Sequence, residues 1–232
     1  MQFSIFQNPL NTWRGSSLII GINENDIDSQ LEKIKFILDP KVIIQKIKNK
    51  NFKGEIGETL RFEFLELHLN SLTIIGLGNK QTLNSDTLRN SLPNCIRTIM
   101  DKEEKISILM PWEILGKDSI YLVAEILRLS CYRDNRFNNK RNETINLKQV
   151  EFLDLDHIKN ISFREVEDIC EGVEFARRLV ASPPNDLTPI EMSNNAKDIA
   201  KKYNFEIRIL EENECEDLGM GAYLAVAKGS DL

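Results

Sequence analysis

The sequence predicts an α/β protein: a mixed, mainly parallel sheet with helices on both faces over residues 1–160, a linker helix over 161–181, and the incomplete start of a second α/β domain over 182–232. Three observations lead there. Short apolar runs alternate with stretches of helical period as far as Leu155, the pattern of strands joined by crossover helices. Ser162 and Glu165 then stand at capping-box spacing before a long apolar stripe, which specifies a helix start at a domain boundary. After Pro183 and Pro184 the remaining residues supply two capped elements and a short strand, too little chain to enclose them, so Leu232 reads as a truncation point.

The elements follow in order. Phe3, Ile5 and Phe6 mark a first strand, and Ser17 to Ile22 a second. Ile27, Leu31, Ile34 and Leu38 share one face of a helix over 27–38, and Lys41 to Lys48 adds a further turn or two. Leu60, Phe62 and Phe64 alternate with Arg61 and Glu63 as in a half-buried strand, and Leu72 to Ile75 continues the sheet. Ser85 to Met100 reads as a helix kinked or interrupted at Pro93, Ile106 to Met110 as a buried strand, Ser119 to Tyr132 as a helix, and Ile145 to Leu155 as a strand. The linker helix buries Phe163, Val166, Ile169, Cys170, Val173, Ala176 and Val180 until the prolines stop it. Thr188, Pro189 and Glu191 open the next helix, with Met192, Ala196, Ile199, Ala200 and Tyr203 facing inward. Phe205 to Leu210 reads as a strand, and Tyr223 to Ala227 as a short buried strand between glycines.

Composition excludes several classes. With 41% hydrophobic and 28% charged residues the chain is globular rather than disordered. No window is apolar enough to span a bilayer and no signal peptide opens the chain, so a soluble, cytoplasmic protein without a membrane partner is expected. Residues 161–232 carry 8 Lys+Arg against 15 Asp+Glu, and residues 1–160 carry 22 against 21, a balance that disfavours nucleic acid. Arg133, Arg136, Lys140 and Arg141 read as a solvated loop among polar residues. Cys95, Cys131, Cys170 and Cys215 are too scattered for a disulfide framework and read as buried reduced thiols. His68 and His157 are isolated, and neither HExxH nor GxSxG occurs.

Four stretches are candidates for chemistry. Ile74 to Asn79, IIGLGN, places Gly76 and Gly78 where a turn after a strand could offer amides to a phosphate, although a third glycine is missing. Glu211, Glu212, Glu214, Glu216 and Asp217 form an acidic patch without an EF-hand pattern and read as a solvated helix face. Ser182 to Asp186 is a rigid proline elbow, and Gly219 to Gly229 is glycine-punctuated. None assembles an active site by residue chemistry alone. A stand-alone nucleotide- or phosphate-binding module built on Gly76 and Gly78, and a regulatory subunit docking on longer chains, stay open at this point.

Two strings in the C-terminal part, ARRLVASPPNDLTP at 176–189 and LGMGAYLAVAKGS at 218–230, resemble the leucyl aminopeptidase family of cytosolic dinuclear-metal enzymes. NFKGEIGETL at 51–60, TIIGLG at 73–78 and CYRDNRF at 131–137 resemble its first domain in the same order. Ala181 and Ser182 stand where the family usually has Asn-Thr. The resemblance implies a hydrolase that removes leucine-like N-terminal residues from peptides in intracellular turnover. It further implies two divalent metal ions, manganese or zinc, and a hexamer. The family's catalytic, metal and substrate motifs lie beyond the glycine-rich segment, so the resemblance assigns no such residue in this chain and implies that it is inactive alone. Met192, Ile199, Leu224 and Val226 would then lack their covering partner and leave a sticky patch.

Overall fold

Strands β1 (Gln2–Ile5), β2 (Ser17–Ile22), β3 (Thr59–Glu63), β4 (Ser71–Gly76), β5 (Lys105–Leu109) and β6 (Gln149–Phe152) build one sheet in the order β1-β6-β5-β2-β4-β3. Every neighbouring pair is parallel except β3 on β4. This computed structural model describes residues 1–65, 68–137, 145–155 and 161–229. His157, Lys140 and Arg141 lie outside the described residues. The central strands β2 and β4 are buried along their whole length, which is why both read as unbroken runs rather than alternating ones.

Each face of the sheet has its own core. Ile19, Ile75, Ile106, Ile108 and Phe152 meet Leu88, Leu92 and Ile96 of α3 (Ser85–Ile99) and Ile120, Val123 and Leu127 of α5 (Asp118–Ser130). On the opposite face Leu18, Ile20, Ile22, Leu72 and Ile74 meet Leu31 of α1 (Ile27–Glu32), Ile43 and Ile47 of α2 (Pro40–Asn49), and Trp13. Burial of each such side chain contributes about 1.5–3 kcal/mol, and the α/β architecture with helices on both faces follows from it. α4 (Trp112–Leu115) closes the turn after β5, where the Trp112 indole N–H donates to the Leu153 carbonyl at 2.8 Å.

α6 (Arg164–Val180) is held at its start by the buried side chains of Val166 and Cys170 and by Arg128, whose guanidinium donates to both Glu174 oxygens at 2.9 and 3.1 Å. The chain divides into two compact units, Met1–Glu174 and Phe175–Leu232. Within the second, α7 (Pro189–Tyr203), α8 (Glu212–Asp217) and α9 (Gly221–Ala227) follow one another, and the Thr188 hydroxyl caps α7 by accepting from the Glu191 N–H.

Several expectations are corrected. The helix over 27–38 stops at Glu32, and the chain goes on through tighter bonds from Lys33, Ile34, Lys35 and Ile37 to carbonyls three residues back. α3 runs through Pro93 without interruption, because Leu88, Leu92, Cys95, Ile96 and Ile99 fasten it on both sides of the proline. The strand expected over 145–155 is confined to β6. Ile169 and Val180, placed on the buried stripe of α6, are 49% and 88% exposed. Phe205 to Leu210 forms no strand and joins no sheet among the described residues. Tyr223 to Ala227 is not a buried strand but part of helix α9, with Tyr223 and Val226 exposed.

Candidate functional site

In an open α/β sheet ligands collect outside the carboxyl ends of the strands, where the chain order reverses. Here that point is β2, which has β4 on one side and β5 on the other. The segment leaving β2 is fixed by a buried amide pair. Gln30 accepts from the Asn23 backbone N–H and donates to its side-chain oxygen, and the Asn23 amide donates to the Gly78 carbonyl at 3.3 Å. Beyond it opens a cavity of about 650 Å³ lined by Glu24, Asp26, Asp28, Ser29, Lys53 and Glu55. Four carboxylates against one ammonium make it unfavourable for phosphate. Lys53 is already paired with Glu55 at 3.6 Å, and Asp26 with Lys80 at 3.6 Å.

In the glycine turn beside this cavity the amides of Gly76, Leu77 and Gly78 are all engaged. The N–H of Gly76 donates to the Glu58 carbonyl at 2.7 Å, that of Leu77 to Ile22 at 2.9 Å, and that of Gly78 to Gly54 at 2.8 Å. A side chain on Gly76 would run into the Glu55 carbonyl and the Gly54 backbone, so the glycine is there to let the 53–58 loop lie against the strand end. Gly78 has φ +71°, the left-handed region that favours glycine. The loop contains an anion nest of its own: the N–H groups of Lys53, Gly54 and Glu55 converge on Glu58 Oε2 at 2.9, 3.0 and 3.2 Å. The anion the nest holds is the protein's own carboxylate. The start of α3 is likewise closed by the Asn84 side chain, which accepts from Asp86 and Thr87 N–H. Glu58 escaped sequence reasoning, its only signal being the glycine pair Gly54 and Gly57 before it.

A second cavity, about 510 Å³, lies between the beginnings of α3, α5 and α6, with Leu88, Leu115, Tyr121, Leu122 and Val166 among its lining. Its chemistry is that of a groove between amphipathic helices.

The remaining candidates are structural. Glu211 and Glu214 cap α8, and the Glu214 carboxyl lies below its usual range because it accepts from the Glu211 N–H and from Arg208. In the proline elbow Ser182 donates to the Arg178 carbonyl at 2.8 Å, and Asp186 and Leu187 N–H bond to Pro183. All four cysteines are buried thiols outside any disulfide. Burial pushes the Cys95 thiol up to about 12, with Arg61 partly opposing, and the Cys131 thiol up to about 11, with Asp101 adding to the effect. Such thiols are poor nucleophiles and poor metal ligands. His68 is exposed, and among the described residues no three His, Cys, Asp or Glu side chains are grouped to hold a metal ion. The described residues do not fit a dinuclear metal centre. No helix among them is long and apolar enough to cross a membrane.

The model of the cytosol aminopeptidase family's N-terminal domain matches residues 19–141, and that of the family's catalytic domain matches residues 174–232. A probable cytosol aminopeptidase of Prochlorococcus marinus subsp. pastoris is 59% identical over 233 residues, which cover 100% of this chain and 48% of the relative. One of a Synechococcus species is 31% identical over 238 residues, covering 100% and 47%. The chain spans about half the length of the curated relatives it matches. A mutant tomato leucine aminopeptidase shares the fold with a TM-score of 0.83 at 23% identity, covering 98% of this chain and 48% of that one. The bottromycin maturation enzyme BotP in complex with Mn superposes with a TM-score of 0.64 at 15% identity, covering 88% and 40%.

Proposed function

The chain belongs to the cytosol aminopeptidase family, and from that premise we propose that it forms the N-terminal half of a metal-dependent leucyl-type aminopeptidase, a hydrolase releasing N-terminal residues from peptides in the cytoplasm. The observation that carries this reading is the order of the two family models along one chain, together with 59% identity to a probable cytosol aminopeptidase across all of it. Residues 1–160 act as the non-catalytic domain, 161–181 as the linker helix and 182–232 as the opening of the catalytic domain. The two divalent ions, manganese or zinc, are held by residues other than those of this chain. No catalytic, metal-binding or substrate-binding role is given to a residue here. The assembly proposed for the whole enzyme is a hexamer.

The test compares leucine-amide hydrolysis, with Mn²⁺ or Zn²⁺ supplied, by the 232-residue chain and by the same chain fused to the second half of the Prochlorococcus relative. The chain alone is expected to be inactive and the fusion active. Metal-dependent turnover by the chain alone, or a folded fusion without activity, overturns the proposal.

A further inference from the structure

Arg61 and Thr73 stand opposite each other in the antiparallel pair of β3 and β4. The bonded positions of this ladder are the even ones, since the Gly76 N–H donates to the Glu58 carbonyl and the Phe64 N–H to the Asn70 carbonyl. Arg61 and Thr73 therefore form a pair without mutual backbone bonds, the kind that brings side chains closest, with Cα atoms about 4.5 Å apart. They lie on the sheet face that α3 covers: Ile75, two residues beyond Thr73, shares a buried cluster with Leu92, Cys95, Ile96 and Ile99. Two polar atoms here are buried and have no hydrogen-bond partner among the described residues, Thr73 Oγ1, on a residue only 1% exposed, and Arg61 Nη1. The other guanidinium nitrogens are engaged, Nε with Glu63 at 3.2 Å and Nη2 with Glu103 at 2.6 Å. Ser71, the next residue along this face of β4, already bonds Ser17 and Glu103. A buried donor and a buried hydroxyl are each costly when left unmade, and folded proteins satisfy such groups with protein or with ordered water.

We propose that the Arg61–Thr73 pair binds one internal water molecule, which accepts from Arg61 Nη1, donates to Thr73 Oγ1 and so ties the edge strand β3 to β4 beneath α3. Water has the chemistry the two atoms require: the guanidinium only donates, the hydroxyl can accept, and a water does both at once. An anion is the weaker occupant, because Glu63 and Glu103 already meet the single positive charge of Arg61 and leave none for a halide. An apolar occupant would leave both atoms unsatisfied.

The experiment compares the 232-residue chain with Thr73→Val, which keeps the shape of the side chain and removes its oxygen, and with Thr73→Ser, which keeps the oxygen. Two quantities are read: the urea midpoint, and the ¹⁷O relaxation dispersion of the solvent, which reports water held longer than the protein tumbles. Thr73→Val is expected to lose the signal of one long-lived water and to shift the folding equilibrium about tenfold toward the unfolded chain, because Arg61 Nη1 is then stranded. Thr73→Ser should retain the water signal. The sign of the stability change separates the readings: Thr73→Val that raises the midpoint and leaves the dispersion unchanged shows that Oγ1 was simply unsatisfied, and overturns the proposal. A lowered midpoint with unchanged dispersion assigns the loss to packing and overturns it as well. The midpoint difference between the native chain and Thr73→Val should be the same in sodium chloride and in sodium gluconate; a difference that grows with chloride identifies a halide and overturns the assignment of water.

Discussion

Single residues at the strand ends show how tightly the carboxyl edge of the sheet is closed. At Gly76 the space a methyl group needs is occupied by backbone of the 53–58 loop, which cannot rotate away as a side chain could. Gly76→Ala is therefore expected to cost about 3 kcal/mol or more, the upper end of overpacking, read as a lowered urea midpoint with unchanged slope. The buried thiol of Cys95 gives a pH signature. Its folded value, about 12, lies above the ordinary value of 9.0, so the unfolded chain loses this proton first. The stabilisation is whole below pH 9 and is lost as pH rises from there toward 12. Urea midpoints at pH 8 and pH 10.5 should fall more steeply in the native protein than in Cys95→Ala; equal slopes would show that the thiol is not the group responsible.

Elements, unlike single sites, were legible in the sequence where their partners are nearby or where burial is two-sided. β2 matches its expected bounds because six consecutive buried residues leave no other reading, and α7 because Thr188 and Pro189 specify its start locally. Phe205 to Leu210 and α9 were misread because a strand exists only through a neighbour, and periodicity cannot report whether one is present. The glycine turn was visible as a motif, but that its amides are used by Glu58, Ile22 and Gly54 depends on contacts far along the chain. The edge strand β3 shows the same non-local logic. Arg61 on β3 bonds Glu103, beyond α3, at 2.6 Å, and Glu103 also accepts from Ser71, which meets Ser17 at 2.9 Å. The Arg61 and Glu103 side chains are 20% and 15% exposed, buried enough that an orphaned partner is costly. Glu103→Ala is expected to destabilise by about 3 kcal/mol, and the double change Arg61→Leu with Glu103→Leu to recover most of it, in a denaturation cycle. Equal losses in both variants would mean that packing rather than charge fastens the strand.

For the whole chain, stability cannot be uniform. Met1–Glu174 holds two buried clusters on either side of a six-stranded sheet, whereas the described part of Phe175–Leu232 holds exposed helices and, at Phe205–Leu210, a segment without regular secondary structure. Local opening free energy follows buried apolar contact, so hydrogen exchange should separate the two units. Amides of β2, β4 and β5 are expected to exchange only through global unfolding. Those of α7 and α9 should exchange at least about a hundredfold faster, through openings that leave the sheet intact. Denaturant discriminates the mechanisms: low urea should accelerate exchange in the sheet strongly and in α7 hardly at all, because little surface is exposed when a helix without a core opens. If α7 and the sheet instead share one rate and one urea dependence, the second unit is stabilised cooperatively with the first, and its shortage of buried area does not set its local stability.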